Sequence, residues 1–551
     1  MTVIGTPTQT MSDEVDRCIK VAFILPIEGR MLPYYSAVHQ LVKKIKESGD
    51  FISTVHLLTK DSVKCVCGGN DRKSYDLICI GLTTPSGFLE AIRIAHRHGI
   101  SLSSVRRRKR HLVCAGGWGV HNPEPFSAFV DIVITADAET VLPELCCLVS
   151  SAKVIGCHPL ELVSSGRGGL YMPTNYDFNF SKDGRIVRIR RLVEYVAPDH
   201  PIPPSRLSSV IFSENTAVIT AARGCPYCCA FCQIGTEPYV ETPIDELQIN
   251  IAEAFAAGVQ RLVINAATLS RHRQFREILS LLNDAQRDDQ KFEIVLGSMR
   301  ADELTRFALR DIGRLTMMRS TIQHYNWNGG SPSLTFAPEV GDDRTRKTLG
   351  KYMTNETLFR SVSAACDVGI RDFTFYFIVG FDFCHSVESI TNLVTLVIRR
   401  VPSIARLTLR LTPFIATPRT LMQRFGMAGV DRTWREIDTI TEALMSVSST
   451  TTVEVSVAMT PSRYLIEALL MRGDRRLGPV LCELSTVEDD LIPSVIDNIL
   501  ADHGMHLWQF LGRRDPDELL PWAEIDNISL DRQRFLMLEL PCIQTSVARF
   551  T

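Results

Sequence analysis

Short apolar runs separated by stretches of helical period dominate the chain from residue 20 onward. VAFILPI at 21–27, TVHLL at 54–58, DLICIGL at 76–82, HLVCAGG at 111–117 and DIVITA at 131–136 are rich in Val, Ile and Leu. Helical spacing of apolar residues falls between or after them, at 34–46, 87–98, 125–129 and 139–150. Strands buried on both faces read as near-continuous apolar runs, and strand–helix alternation calls for parallel crossover connections. The pattern predicts an α/β unit over 20–150, a doubly wound parallel sheet of flavodoxin- or Rossmann-like type. Such sheets bind ligands beyond the carboxyl ends of their strands. The candidates there are residues 26–29, Thr83, Thr84 and Ser86, the glycines Gly116, Gly117 and Gly119, and residues 137–140. Glycine at 116 and 117 is expected to let backbone approach a bulky ligand, with the hydroxyls of Thr83, Thr84 and Ser86 bonding its amides.

Residues 151–213 hold no long periodic helix; turn signals at Gly168-Gly169 and Asp183-Gly184 predict a β-rich connector, closed by the stiff HPIPPS at 200–205. A second α/β array follows over 214–460. Its expected strands are AVITAA (217–222), RLVINAA (261–267), FEIVLGS (292–298), SLTFAPE (333–339), DFTFYFIVG (372–380) and RLTLRLTPF (406–414). From 461 to 551 the pattern is mainly helical, a region in which a lid or substrate-shaping role is expected.

Composition changes this picture little. A chain of 551 residues exceeds one core, and a net charge of −2 gives no reason to expect nucleic acid or a membrane as the main partner. No apolar run reaches the roughly eighteen residues of a membrane-spanning helix. Residues 1–19 lack a basic-then-apolar leader and read as a disordered tail. Sixteen cysteines without such a leader point to reduced thiols and a cytoplasmic location. RRRKRH at 106–111 reads as a solvated loop, and Cys542 as a buried structural thiol.

The chemistry concentrates in RGCPYCCAFCQIG at 223–235, where Cys225, Cys229 and Cys232 form C-x3-C-x2-C. Soft sulfur ligands in such density suit zinc or an iron–sulfur cluster, and three thiolates leave a four-iron cluster with one iron open. Cys228 permits two other readings, a four-thiolate zinc site or a disulfide pair. Zinc sites usually divide their ligands between two knuckles, however, and adjacent Cys228 and Cys229 are awkward to aim at one ion.

The loop resembles that of the radical S-adenosylmethionine superfamily, with Phe231 at the aromatic position before the last cysteine. The resemblance implies a 4Fe-4S cluster on Cys225, Cys229 and Cys232, S-adenosylmethionine on its free iron, and a partial (β/α)6 barrel for 214–460. SMR at 298–300 resembles the family's Ser-x-Arg turn, which implies Ser298 and Arg300 at the cofactor, the arginine fork on its carboxylate. FAPEVG at 336–341 resembles an Ala-Pro-Glu-x-Gly segment and implies Glu339 at the ribose or amino group. Where many members carry Gly-Gly-Glu, this chain has Asn265-Ala266-Ala267-Thr268, so Thr268 or backbone carbonyls would have to serve. Phe381-Asp382 stands in place of the family's Leu-Pro. GGWGVHNPEP at 116–125, followed by a strand and ADAET, resembles the cobalamin-binding domain of one subgroup. The D-x-H-x-x-G of other cobalamin proteins is missing, which implies cobalamin without a histidine on cobalt and a surface role for His121.

The function implied is a cobalamin-dependent radical enzyme, a methyltransferase acting on an unactivated carbon of a small molecule or peptide. It would draw electrons from a donor such as flavodoxin or ferredoxin. The competing readings are a non-methylating rearrangement or cyclisation, and a non-catalytic iron–sulfur protein. A methylthiotransferase would need a second three-cysteine set, which Cys65, Cys67, Cys79 and Cys114 do not supply.

Overall fold

The computed structural model describes residues 18–34, 36–49, 52–68, 74–103, 111–163, 169–192, 211–213, 216–287, 293–317, 333–384, 386–445 and 450–525, with 447, 533, 536, 537 and 540. Most of the expected tail, the basic run at 106–110, the proline-rich 200–205 and Cys542 lie outside the described residues. The chain divides into two compact units.

In the first unit β1 (Ile19–Ile24), β2 (Ile52–Leu58), β3 (Val63–Cys67), β4 (Leu77–Gly81), β5 (Leu112–Gly116), β6 (Ile132–Ile134) and β7 (Leu170–Tyr171) form one sheet, ordered β3-β2-β1-β4-β5-β6-β7. β2, β1, β4, β5 and β6 are parallel, and β3 and β7 close the two edges antiparallel. The parallel strands thus follow the flavodoxin order, which reverses between β1 and β4 and opens a ligand crevice there. The apolar runs fill the core: Val21, Phe23, Leu57, Leu77, Leu112 and Ile132 are all buried. The expected β-rich segment contains the hairpin of β8 (Tyr176–Phe180) and β9 (Ile186–Arg191).

The first unit also takes in residues 465–510 and 517–525, a grouping that the linear order of the sequence conceals. The helix Leu477–Leu484 packs so closely that a Cβ on Gly478 would lie 2.7 Å from the Ala128 Cβ. Arg93 donates to the carbonyls of Ser485 (3.0 Å) and Val487 (2.6 Å) and pairs with Asp489.

The second unit contains the antiparallel β10 (Ile211–Ser213), β11 (Thr216–Thr220), the short pair β12 (Ala222–Arg223) and β13 (Val240–Glu241), β14 (Arg261–Asn265), β15 (Glu293–Leu296), β16 (Ser333–Glu339), β17 (Asp372–Val379), β18 (Arg406–Pro413) and β19 (Thr452–Val457). All six expected strands of the array are present, each followed by a helix. They fall into two parallel ladders, β11-β14-β15 and β16-β17-β18, the second extended by β19. One ladder shifts register between Phe336 and Glu339, at Pro338, which has no N–H to give.

Candidate functional site

The cysteine loop leaves the carboxyl end of β11 through β12. Gly224 turns the chain at φ 68°, and a Cβ there would meet the Pro238 carbonyl oxygen at 2.3 Å, so only glycine fits. Cys225, Cys229 and Cys232 are partly buried, whereas Cys228 is exposed. Burial pushes all three partly buried thiols up, Cys229 to about 11. Backbone N–H groups of Tyr227 on the Cys225 sulfur, and of Ile234 and Gly235 on the Cys232 sulfur, oppose that rise. Cys232 lies within electrostatic reach of both other sulfurs. Among the described residues no three His, Cys, Asp or Glu side chains gather as around a single metal ion. A one-ion zinc site requires that convergence; a four-iron cluster spreads its thiolates over separate irons. The donors present suit the cluster: three shielded sulfurs on one loop, two of them receiving N–H bonds.

Three contacts fasten this loop within the unit. Ala230 N–H donates to the Leu349 carbonyl (2.9 Å), Met422 N–H to the Ala230 carbonyl (3.1 Å), and Gln233 Nε2 to the Pro418 carbonyl (2.7 Å). The segments after β16 and β18 therefore hold the cysteines.

Arg300 is buried after β15, and its guanidinium lies over the Tyr227 ring at 4.0 Å. Two of its nitrogens are engaged by Asp302, Nε to Oδ1 at 3.0 Å and Nη2 to Oδ2 at 2.7 Å. Burial works against its charge, but Asp302 outweighs burial and holds the guanidinium above its ordinary value. The fork expected to grip a cofactor carboxylate is thus largely committed to Asp302. Ser298 is exposed, and it is its carbonyl that bonds, to Leu269 N–H at 2.7 Å. Thr268 is buried, its hydroxyl 3.5 Å from Glu303 Oε2. Glu303, which the sequence did not single out, also accepts from Ser270 Oγ at 2.7 Å and from the Tyr227 hydroxyl. Burial and the Glu303 contact push the Tyr227 phenol up to about 12.

Glu339 adopts a left-handed φ of 65°, a conformation a non-glycine residue holds only under constraint. Arg346 supplies it: fully buried, it donates to the Pro338 carbonyl (2.9 Å), the Val340 carbonyl (2.6 Å) and the Met353 carbonyl (3.0 Å). Glu339 Oε1 pairs with Lys351 Nζ at 2.8 Å. Lys351 had no signal in the sequence beyond following Gly350. Gly380, just before the Phe381-Asp382 that replaces Leu-Pro, turns left-handed at φ 77°, and the Phe381 ring lies tilted against those of Phe383 and Phe414, centroids 4.6 and 4.7 Å apart.

At the strand ends of the first unit Thr83 is exposed, and Ser86 Oγ sits 3.3 Å from Thr84 Oγ1 and 3.0 Å from Glu467 Oε1. The glycines pack against the chain itself. Leu82 N–H donates to the Gly116 carbonyl and Gly119 N–H to the Leu82 carbonyl, both at 2.9 Å. A Cβ on Gly117, at φ 104°, would lie 2.4 Å from the Leu82 oxygen, and one on Gly116 3.3 Å from the Ile134 Cβ. Gly117 permits a close contact between two loops of the chain itself. Trp118 is exposed beside them, its ring 6.1 Å from that of His121. The Asn-Pro-Glu segment grips the C-terminal helices. Asn122 Nδ2 donates to the Met471 (3.3 Å) and Gly473 (2.7 Å) carbonyls. Buried Glu124 accepts from Arg475 Nε (2.7 Å) and Nη2 (3.0 Å) and from the Tyr171 hydroxyl.

Residues 60–173 match the family described as radical SAM proteins, N-terminal. That match takes in β4, β5 and β6 and the loops after them. An uncharacterized protein of Methanocaldococcus jannaschii is 22% identical over 503 residues, covering 90% of this chain and 96% of that protein. Among solved structures, the cobalamin-dependent S-adenosylmethionine radical enzyme OxsB is similar at 12% identity. With aqua-cobalamin and S-adenosylmethionine bound, its TM-score is 0.48, with 80% of this chain and 58% of that one covered. With aqua-cobalamin alone, the TM-score is again 0.48, with 88% and 68% covered. Against apo OxsB the chain spans about half of that chain's length, 52%, at a TM-score of 0.45.

Proposed function

We propose that the protein is a cobalamin-dependent radical S-adenosylmethionine enzyme, a methyltransferase acting on an unactivated carbon. The observation that carries the reading is the cysteine loop. Cys225, Cys229 and Cys232 are shielded while Cys228 faces solvent, and polar groups from the ends of β14, β15 and β16 bond to this loop or to one another nearby. When bound, a 4Fe-4S cluster and S-adenosylmethionine supply a 5′-deoxyadenosyl radical, and methylcobalamin supplies the methyl group.

The chain's own residues bind and orient. The three cysteines hold the cluster. Glu303, already collecting donors from Tyr227 and Ser270, offers an acceptor for the cofactor's amino group, beside Thr268. The remaining donor of Arg300 and the carboxyl group of Glu339 serve the carboxylate and ribose. In the first unit the crevice between β1 and β4, with Thr83, Thr84 and Ser86 after β4, is the cobalamin site. A small-molecule or peptide substrate and a flavodoxin- or ferredoxin-like donor complete the system. No described helix is long and apolar enough to cross a membrane.

The test is anaerobic reconstitution with iron, sulfide and cobalamin, followed by S-adenosylmethionine and reductant. 5′-Deoxyadenosine that depends on the three cysteines is the expected product, with S-adenosylhomocysteine as the mark of methyl transfer. Iron uptake without 5′-deoxyadenosine would overturn the radical reading. 5′-Deoxyadenosine without S-adenosylhomocysteine in the presence of substrate would overturn methyl transfer.

A further inference from the structure

We infer that Lys351 and Glu339 are a charge pair that sets the reduction potential of the cluster, Lys351 raising it and Glu339 lowering it. The inference rests on the cluster reading above.

The pair is seated on the cysteine loop. A Cβ on Gly350 would lie 2.9 Å from the Cys228 carbonyl oxygen and 3.6 Å from the Cys229 Cα, and the Leu349 carbonyl accepts the Ala230 N–H. Lys351, the next residue, reaches back to Glu339, and the two side chains are only 11% and 13% exposed. Both groups lie within electrostatic reach of the Cys229 and Cys232 sulfurs. Arg346 holds the backbone on both sides of Glu339 and the Met353 carbonyl just after Lys351, so neither group is a freely swinging surface charge.

An exposed pair would be screened by salt and worth little. This one is largely out of water, where a unit charge is felt more strongly by a neighbouring centre. One-electron reduction adds a negative charge to the cluster, and cluster potentials respond to net charge, hydrogen bonds to sulfur and solvent exposure. A cation beside Cys229 favours the reduced form; a nearby carboxylate opposes it.

The experiment is a potentiometric titration, read by electron paramagnetic resonance of the reduced cluster, on the reconstituted full chain. It compares wild type with Lys351→Met, Lys351→Arg and Glu339→Gln, with iron and sulfide content measured on each. At a fixed potential Lys351→Met should lower the reduced-to-oxidised ratio about tenfold, which is about 59 mV for one electron. Glu339→Gln should raise the ratio, and Lys351→Arg should stay near wild type. Shifts of the same sign in Lys351→Met and Glu339→Gln, or no shift in Glu339→Gln at full iron content, would overturn the inference. If Lys351→Met does not assemble a cluster, the Lys351→Arg and Glu339→Gln results decide. Wild-type protein that takes up no iron would instead sink the cluster reading itself, and this inference with it.

Discussion

Arg475→Met tests the grip of the C-terminal helices on the first unit. Arg475 gives Glu124 two hydrogen bonds, donates to the Tyr176 carbonyl at 3.0 Å and the Pro173 carbonyl at 3.3 Å, and lies 4.3 Å from the Phe178 ring centre. Glu124 is 0% exposed, and burial raises its pKa even against the Arg475 contacts. Removing one partner of a buried pair costs about 3–5 kcal/mol. In a unit of this size that lowers Tm by roughly 2–4 °C per kcal/mol, or about 6–20 °C altogether. The sign with pH follows from the raised pKa. Between its unfolded and folded pKa the folded state binds more protons, so stability falls as pH rises through that window. Losing Arg475 extends the window upward. The deficit of the variant should therefore be larger at pH 8 than at pH 5, and Glu124→Gln in the same chain should recover part of it. Calorimetry at the two pH values, with hydrogen exchange at β4 and β5 assigning the transition, measures both effects. A deficit below about 1 kcal/mol at pH 8, or one that grows on acidification, refutes the reasoning.

Cys225→Ala, Cys229→Ala and Cys232→Ala should each lose the reconstituted cluster, whereas Cys228→Ala should keep its iron and visible absorption; equal loss in all four would restore the four-thiolate reading. Arg300→Ala should retain iron but bind S-adenosylmethionine roughly tenfold to a hundredfold more weakly by calorimetric titration, the cost of one charge-assisted hydrogen bond. Unchanged affinity would confine Arg300 to Asp302 and Tyr227. The cob(II)alamin form should show no nitrogen splitting in electron paramagnetic resonance, and a splitting lost in His121→Ala would make that residue a cobalt ligand.

The strands of both units were legible because each is a run of Val, Ile, Leu or Phe long enough to declare itself. Edge strands were not: in β3 the residues VKCVC are only partly buried or exposed, and β7 is two residues long. The cysteine loop announced itself by spacing alone. Glu303, Ser270 and Lys351 did not, since an isolated polar residue near a turn has no local mark of what it will face. Gly117 illustrates the limit from the other side. That a glycine there lets backbone come close was readable, but that the Leu82 carbonyl stands against it depended on the path of a loop some thirty-five residues earlier.

The closure of the first unit by residues 465–510 carries a consequence for how the protein is made. Glu124 and Arg475 are 351 positions apart. At about 5–20 residues per second, a ribosome needs roughly 20–70 s to supply the arginine after the glutamate. Until then the acid and the helix Gly87–Arg97 wait for the partners that will cover them, while residues 202–464 of the second unit are being translated. The nascent first unit is therefore a natural client for chaperones. An expression fragment cut after its last strand would hold that unfinished state indefinitely; one that carries residues 465–525 in trans has the means to complete it.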